Sequence, residues 1–332
     1  MWHRIWSTIK RWLGAAYDWL RDAIGRISPR NWGRIGLGFL AFLFLYYLLG
    51  MAIMHKIDDD PDFRPGVADT EVGGSVAVAA VAGLIDREVN GNGWTANDPF
   101  FKPSALLDNM PNYQQGMVSA LASFSFELKD QIGRTRGSSA SDADLEQAAG
   151  LLQYPGDIWV FNFSASLLPV ASSERQYLAA RKSLLSYNRR LAEGDAVFER
   201  RSDNLLATLD RIALDIGAAS AALDTHVADH ARDWFDFYAD DLFYNVKGKA
   251  YAYLMILRAL KQDYSSVIAG RELDAVYDQM LASFDSIVDL SPLVVINGDT
   301  DGQVMPNHLV AQGFFLLRAR TQLREITNIL LK

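Results

Sequence analysis

The feature that most constrains this chain is an apolar run from Ile35 to Ile53 that contains no charged residue. As an α-helix, this run is roughly 28 Å long, which is enough to cross the hydrocarbon core of a bilayer. A buried core helix is the alternative. A cleavable signal peptide fits less well, because 34 residues precede the run and no A-x-A-like site follows it. We therefore predict a single transmembrane helix over residues 35–54. Its predicted membrane contacts include Ile35, Phe42, Leu48 and Ile53.

The charges on the two sides of this run differ in sign. Residues 1–56 carry eight Lys or Arg and two Asp, a net charge of +6, whereas the whole chain carries −8, so residues 57–332 carry −14. Because Lys- and Arg-rich flanks stay in the cytoplasm, this asymmetry predicts a cytoplasmic N-terminus and a periplasmic C-terminal domain. An acidic domain is a poor match for the phosphates of nucleic acid. The absence of cysteine excludes disulfides, thiol catalysis and thiolate metal sites.

Residues 1–28 have the pattern of an amphipathic helix. Apolar residues recur at steps of three and four, and charged residues occupy the other faces. Four tryptophans suit a helix that lies in the headgroup layer of the membrane: Trp2, Trp6, Trp12 and Trp19. A helix packed on a protein partner is the alternative. In both cases Ser28-Pro29 is expected to break the helix before the transmembrane run.

Beyond the apolar run, the sequence predicts a linker and then a mainly α domain. Residues 55–69 are rich in Asp, Pro and Gly, which indicates a linker. Residues 70–332 contain long stretches with helical periodicity, which predict a helical bundle with at most a few short strands. The best strand candidate is Leu293 to Ile296.

Residues 173–225 show the clearest periodicity of this domain. Apolar residues recur every seven positions from Tyr177 to Ala219. A second set of positions with the same seven-residue spacing is apolar only in the later part of the stretch. The pattern predicts either one long helix or a helix pair broken near Gly194. We expect that an envelope protein partner, or a second copy of the chain, would bind along this stretch.

Four acidic residues are candidates for acid–base chemistry. Asp86 and Glu88 lie beside a Gly/Asn loop and Trp94, which is also a candidate ligand-binding residue. Paired carboxylates near an aromatic ring suit the hydrolysis of a cell-wall glycan, with Glu88 as the acid and Asp98 or Asp108 as its partner. Caps and salt bridges are the plainer explanation for charges at a helix end.

Two further groups have the chemistry of a binding site. His226 and His230 are four residues apart, so they share one helix face and suit a metal ion, although such histidines are also common on solvated helices. Arg134, Arg136 and Ser138 suit an anion such as a phosphate, a lipid headgroup or a carboxylate; otherwise they form a hydrated turn. We predict no cofactor.

Long polar segments of the domain resemble a known bacterial family. They are LIDREVNGNGWTANDPFFKPSALLDNMPNYQQGM, ELKDQIGRTRGSS, SSERQYLAARKSLLSYNRRLA, FERRSDNLLATLDRIA, DDLFYNVKGKAYAY and PNHLVAQGFFLLRARTQLREI. The resemblance covers nearly all of residues 70–332 and is to an inner-membrane family known as a domain of unknown function. It implies a proteobacterial protein with a single membrane pass, and it implies no activity.

These features together predict a membrane-tethered protein that contacts lipid through its N-terminal part and binds or scaffolds a component of the bacterial envelope. No residue set in the sequence specifies a chemical reaction. An envelope hydrolase that uses the carboxylates or a metal, and a binder of lipid or another anionic ligand, are the alternatives.

Overall fold

A computed structural model describes most of the chain. It describes residues 28–332 apart from 67–69, 136–140, 163–165, 167, 231–235, 237 and 299–305, together with part of 11–22. Within these residues the secondary structure is helical, which confirms the predicted mainly α class. The strand expected at Leu293 to Ile296 was wrong, since the β structure of the described part is one isolated bridge between Asn297 and Asn307.

The chain forms two compact units, Met1–Ile53 and Met54–Lys332. The first contains helix α1, Pro29–Met54. None of the residues in its most apolar stretch of 18 residues is buried. It is the one helix of the described residues that is long and apolar enough to cross a membrane. The predicted amphipathic helix lies largely outside the described residues, and Trp2 and Trp6 lie wholly outside them. Trp12 and Trp19 are described and exposed.

The second unit is a bundle built from nine described helices. They are α2, Val76–Asp86; α3, Asn109–Thr135; α4, Ala143–Leu152; α5, Ser173–Glu193; α6, Ser202–His230; α7, Tyr238–Asp263; α8, Ser265–Gly270; α9, Asp274–Val288; and α10, His308–Leu330. A π-helical turn, Arg87–Gly91, continues α2, and a 3-10 turn, Pro103–Leu106, precedes α3.

The periodic stretch over 173–225 is a helix pair rather than one helix. Gly194 has a left-handed backbone, with φ of 84°, and ends α5. Glycine adopts this conformation without the steric penalty of a side chain, so the break occurs where the sequence placed it. The seven-residue seam serves the core of the domain itself, because Tyr177, Leu184, Leu205 and Ile212 are buried.

Helix α7 is the central element of this unit. Every residue from Ala250 to Leu257 is buried, as expected of a helix that is apolar on all faces. Helices α2, α3 and α9 pack extensively against it. Its last residue, Asp263, is also buried, and the carboxylate accepts hydrogen bonds from the Val76 and Ala77 amides at 3.0 and 2.9 Å. This carboxylate therefore accepts hydrogen bonds from backbone N–H groups that have no acceptor within the first turn of α2.

Helices α3 and α7 cross at two glycines. A Cβ atom on Gly116 would overlap the carbonyl oxygen of Asn245, and a Cβ atom on Gly248 would overlap the carbonyl oxygen of Tyr113. The obstacle is backbone in both cases, so it cannot move aside as the end of a flexible side chain could. The crossing therefore requires glycine at both positions.

We predict that Gly248→Ala lowers the free energy of unfolding by about 3 kcal/mol, because the added methyl group must separate two packed helices. The measurement is urea unfolding of the detergent-solubilised chain followed by circular dichroism. Gly150→Ala is the matched control: this position is exposed within α4 and open around its Cα, so alanine should stabilise the protein by about 0.5–1 kcal/mol. Equal effects at both positions would contradict the crossing.

Candidate functional site

The residues that follow α1 are fixed to the helical domain. We call residues 56–65 the post-helix segment. The Tyr113 hydroxyl donates to the carbonyl of Asp58 at 2.8 Å, and the Tyr251 hydroxyl donates to the carbonyl of Asp60 at 2.7 Å. The Arg258 guanidinium donates to the carbonyl of Pro61. The predicted linker over 55–69 stays a prediction; the contacts above place residues 58–61 against the helical domain, and residues 67–69 lie outside the described part.

Arg87 is buried beneath this segment. Its side chain is 9% exposed and lies between the rings of Phe63 and Tyr251, whose centroids are 4.9 and 4.8 Å from the guanidinium carbon. It forms ion pairs with Glu88 at 2.9 Å and with Asp58 at 3.3 Å. A planar guanidinium can stack on aromatic rings and pair with carboxylates at the same time. Arg87 therefore connects the post-helix segment to the core.

Glu88 is the carboxylate at the centre of this cluster. It is 1% exposed and accepts hydrogen bonds from Arg87, from Gln114 at 3.2 Å and from Asn92 at 3.3 Å. Burial raises the pKa of the Glu88 carboxyl above its ordinary value, and the charge of Arg87 offsets only part of that rise. Gln114 also accepts from the Thr95 amide at 3.0 Å, so the Gly/Asn loop is tied to Glu88.

A second buried cation, Lys247, lies on α7. Its side chain is 2% exposed, and its ammonium group is 2.6 Å from Asp59. The same group donates to the carbonyl of Leu290 at 2.7 Å and to the Ser291 hydroxyl at 3.1 Å. These three contacts match the three donors of an ammonium group. A cavity of about 660 Å³ adjoins it, with Asn92 and Tyr244 among its lining residues.

The other predicted carboxylates have separate surroundings. Asp86 accepts from Asn90 at 2.7 Å and faces Arg181 at 3.6 Å. Asp98 is bound by Lys102 at 2.6 Å and by the Ser104 hydroxyl. Among the described contacts, none joins Glu88 to Asp98 or Asp108. The acid–base pair thus stays a prediction.

Asp108 belongs to a group of three carboxylates. One carboxylate oxygen of Asp108, one of Asp240 and one of Asp241 lie within 4.8 Å of one another. Burial and the neighbouring carboxylates raise the pKa of Asp240 and of Asp241. Such groups are common on protein surfaces without an ion, and we assign no metal to this one. Trp94 is buried, and its indole N–H donates to the carbonyl of Gly156 at 2.8 Å.

The two predicted histidines stack on each other, with ring centroids 4.4 Å apart. Nε2 of His226 is 2.7 Å from one carboxylate oxygen of Asp236, and the other oxygen accepts a hydrogen bond from the Ala239 amide near the start of α7. His226 thus contributes to the contact between α6 and α7, and the metal site stays a prediction. The predicted anion site lies outside the described residues, except that the backbone of Arg134 is part of α3.

We predict that Arg87→Met lowers the free energy of unfolding at pH 8 by about 3 kcal/mol, because Glu88 is left buried without its cation. A carboxyl whose pKa is raised in the folded state stabilises the protein at low pH, and that contribution is lost as the pH rises through the folded-state pKa. The deficit relative to wild type should therefore be smaller at pH 5 than at pH 8, in urea unfolding at both values.

Two variants control this measurement. Arg87→Met combined with Glu88→Gln should recover much of the loss at pH 8, because no buried charge is then left unpaired. Arg201→Met removes an exposed ion pair with Asp203 and should change the unfolding free energy by less than about 0.5 kcal/mol. A deficit that is the same at both pH values and in the double variant would contradict the role given to Glu88.

Comparison with known proteins agrees with the resemblance seen in the sequence. A family model described as an uncharacterized protein conserved in bacteria, DUF2333, matches residues 61–234 and 226–332. Comparison with curated proteins gave no match, and neither did comparison with solved structures. The two matched ranges span the helical domain almost completely, and the chain is therefore a member of the DUF2333 family of bacterial proteins.

Proposed function

We propose that this protein is a single-pass protein of the bacterial inner membrane that binds or scaffolds an envelope component through a periplasmic domain. The observation that carries the proposal is α1, an apolar helix with no buried residue in its most apolar window. The apolar run of this helix, Ile35 to Ile53, is preceded by Arg26, Arg30 and Arg34 and followed by a run of aspartates. The excess of cationic residues before the helix supports a cytoplasmic N-terminus.

The post-helix segment is part of the folded domain from its first residues. The Lys56 amide, two residues after the last residue of α1, already donates to the sulfur of Met110 at 3.2 Å. The next residues are held by Tyr113, Lys247 and Tyr251. These contacts show that residues 56–60 belong to the domain that we propose as the scaffold.

Binding is favoured over catalysis by the state of the buried charged groups. Arg87, Glu88 and Lys247 are each neutralised by partners within the protein. Groups engaged in this way stabilise a fold, whereas a catalytic acid or base must reach its substrate. A partner along residues 173–225 would contact the outward face of α6, where Leu214 is 61% exposed and Ala218 and Ala221 are also exposed.

The topology predicts which side of the membrane each unit can be labelled from. The chain has no cysteine, so single cysteines can be placed without a background. In intact cells with a permeabilised outer membrane, Val72→Cys should react with a membrane-impermeant maleimide and Ser7→Cys should not. Both should react once the inner membrane is opened, which controls for reactivity. Labelling of Ser7→Cys alone in intact cells would overturn the proposal.

The scaffold role is tested in the same cells. A photo-crosslinking amino acid at Leu214 should give a discrete crosslinked product, and the same amino acid at the exposed Gly150 should not. A second copy of the chain or an envelope protein at Leu214 would both support the proposal. No product at native expression levels would count against it.

A further inference from the structure

Two loops of the domain present a set of exposed apolar side chains. We call this set, together with the partly exposed Trp159 that contacts two of its rings, the aromatic patch: Phe100, Phe101, Leu106, Trp159, Phe161 and Leu168. Phe100 is 82% exposed and Leu168 is 73% exposed. The rings contact one another edge to face, with centroids 5.5 Å apart for Phe100 and Phe101, 5.7 Å for Phe101 and Trp159, and 5.3 Å for Trp159 and Phe161. Contiguous exposed apolar groups of this kind mark an interaction surface.

The loops that carry the aromatic patch are held in place by polar contacts. The Asn97 side-chain amide donates to the carbonyl of Ile158 at 2.8 Å and to Glu174 at 2.7 Å, so it joins the two loops to each other and to α5. The Asp98 carboxylate binds Lys102 and Ser104 within the first loop. These contacts fix the parts of the two loops next to Phe100, Phe101 and Trp159.

The aromatic patch lies near the place where the chain joins the domain. Leu106 ends the 3-10 turn that precedes α3, and Met110 is in the first turn of α3. Four residues span at most about 14 Å. Met110 in turn accepts the hydrogen bond from Lys56, which is two residues past the end of α1.

We propose that the aromatic patch inserts into the surface of the bilayer that α1 crosses, so that the domain itself is a second lipid contact. This inference rests on the proposed function. Phe, Trp and Leu at loop tips are the side chains that enter the boundary between headgroups and acyl chains. Because α1 keeps the domain at the membrane, the second contact forms at a high effective concentration and needs little affinity of its own.

The contact is apolar rather than electrostatic. The domain is strongly acidic, and the ammonium group of Lys102 is already bound to Asp98 at 2.6 Å. The six side chains of the aromatic patch are themselves uncharged, so they offer no cation to anionic lipid. We expect the contact to form on neutral phosphatidylcholine and to persist in high salt, which screens charge–charge attraction but not the hydrophobic effect.

The test uses the full chain in phosphatidylcholine vesicles, with one introduced cysteine that carries an environment-sensitive dye. The fluorescence of dyes at Phe100→Cys and Leu168→Cys should fall severalfold when the vesicles contain lipids with a nitroxide close to the headgroup, relative to vesicles that contain no nitroxide. Val72→Cys is the matched control, because Val72 is 98% exposed. It is three residues from Ser75, whose hydroxyl donates to Asp263 at the C-terminal end of α7. The dye at Val72→Cys should not be quenched.

A dye at Leu45→Cys within α1 separates this inference from the proposed function. Quenching at Leu45→Cys without quenching at either patch position would overturn the lipid contact and leave the membrane anchor standing. Failure at Leu45→Cys itself would overturn the anchor. Blue-shifted dye at the patch without nitroxide quenching would indicate a protein surface and would also overturn the inference, as would quenching that disappears in high salt.

Discussion

The close approach of α3 and α7 at Gly116 and Gly248 is the constraint on which the rest of the domain depends. At each of the two contacts a glycine lies against a backbone carbonyl of the other helix, and a Cβ atom on that glycine would overlap the carbonyl. This crossing places Tyr113 of α3 beside Tyr251 of α7, with ring centroids 6.2 Å apart. Both hydroxyls donate hydrogen bonds to carbonyl groups of the post-helix segment.

The post-helix segment completes the charge balance of this core. Arg87 and Lys247 are nearly inaccessible to water, and a buried cation without a partner strongly destabilises a protein. Asp58 and Asp59 supply partners from a part of the chain that directly follows an apolar helix. Residues that directly follow the apolar helix are thus part of the charge balance of the core.

The sequence predicted features that depend on local pattern. Helical periodicity identified the mainly α domain, and the apolar run identified α1. A helix pair broken near Gly194 was one of the two alternatives for residues 173–225. The importance of Arg87 and Lys247 could not be predicted, because Lys247 meets a partner 188 residues away and Arg87 is stacked on Tyr251. Lys247 and Lys249 both precede the apolar stretch of α7, so the sequence did not indicate that Lys247 would be the buried one. The contacts of the post-helix segment could not be predicted for the same reason: Asp, Pro and Gly indicate a turn-rich linker but not the surface that it contacts.

The most direct test of this account is the coupling energy between Asp59 and Lys247. Asp59→Asn, Lys247→Met and the double variant would be unfolded in urea beside the wild-type chain, all solubilised in the same detergent. If the post-helix segment is part of the domain, the two substitutions will be non-additive by at least about 0.5 kcal/mol, as expected of residues in direct contact. Additive effects within error would show that Asp59 does not meet Lys247, and would contradict the central claim that this segment is fixed to the core.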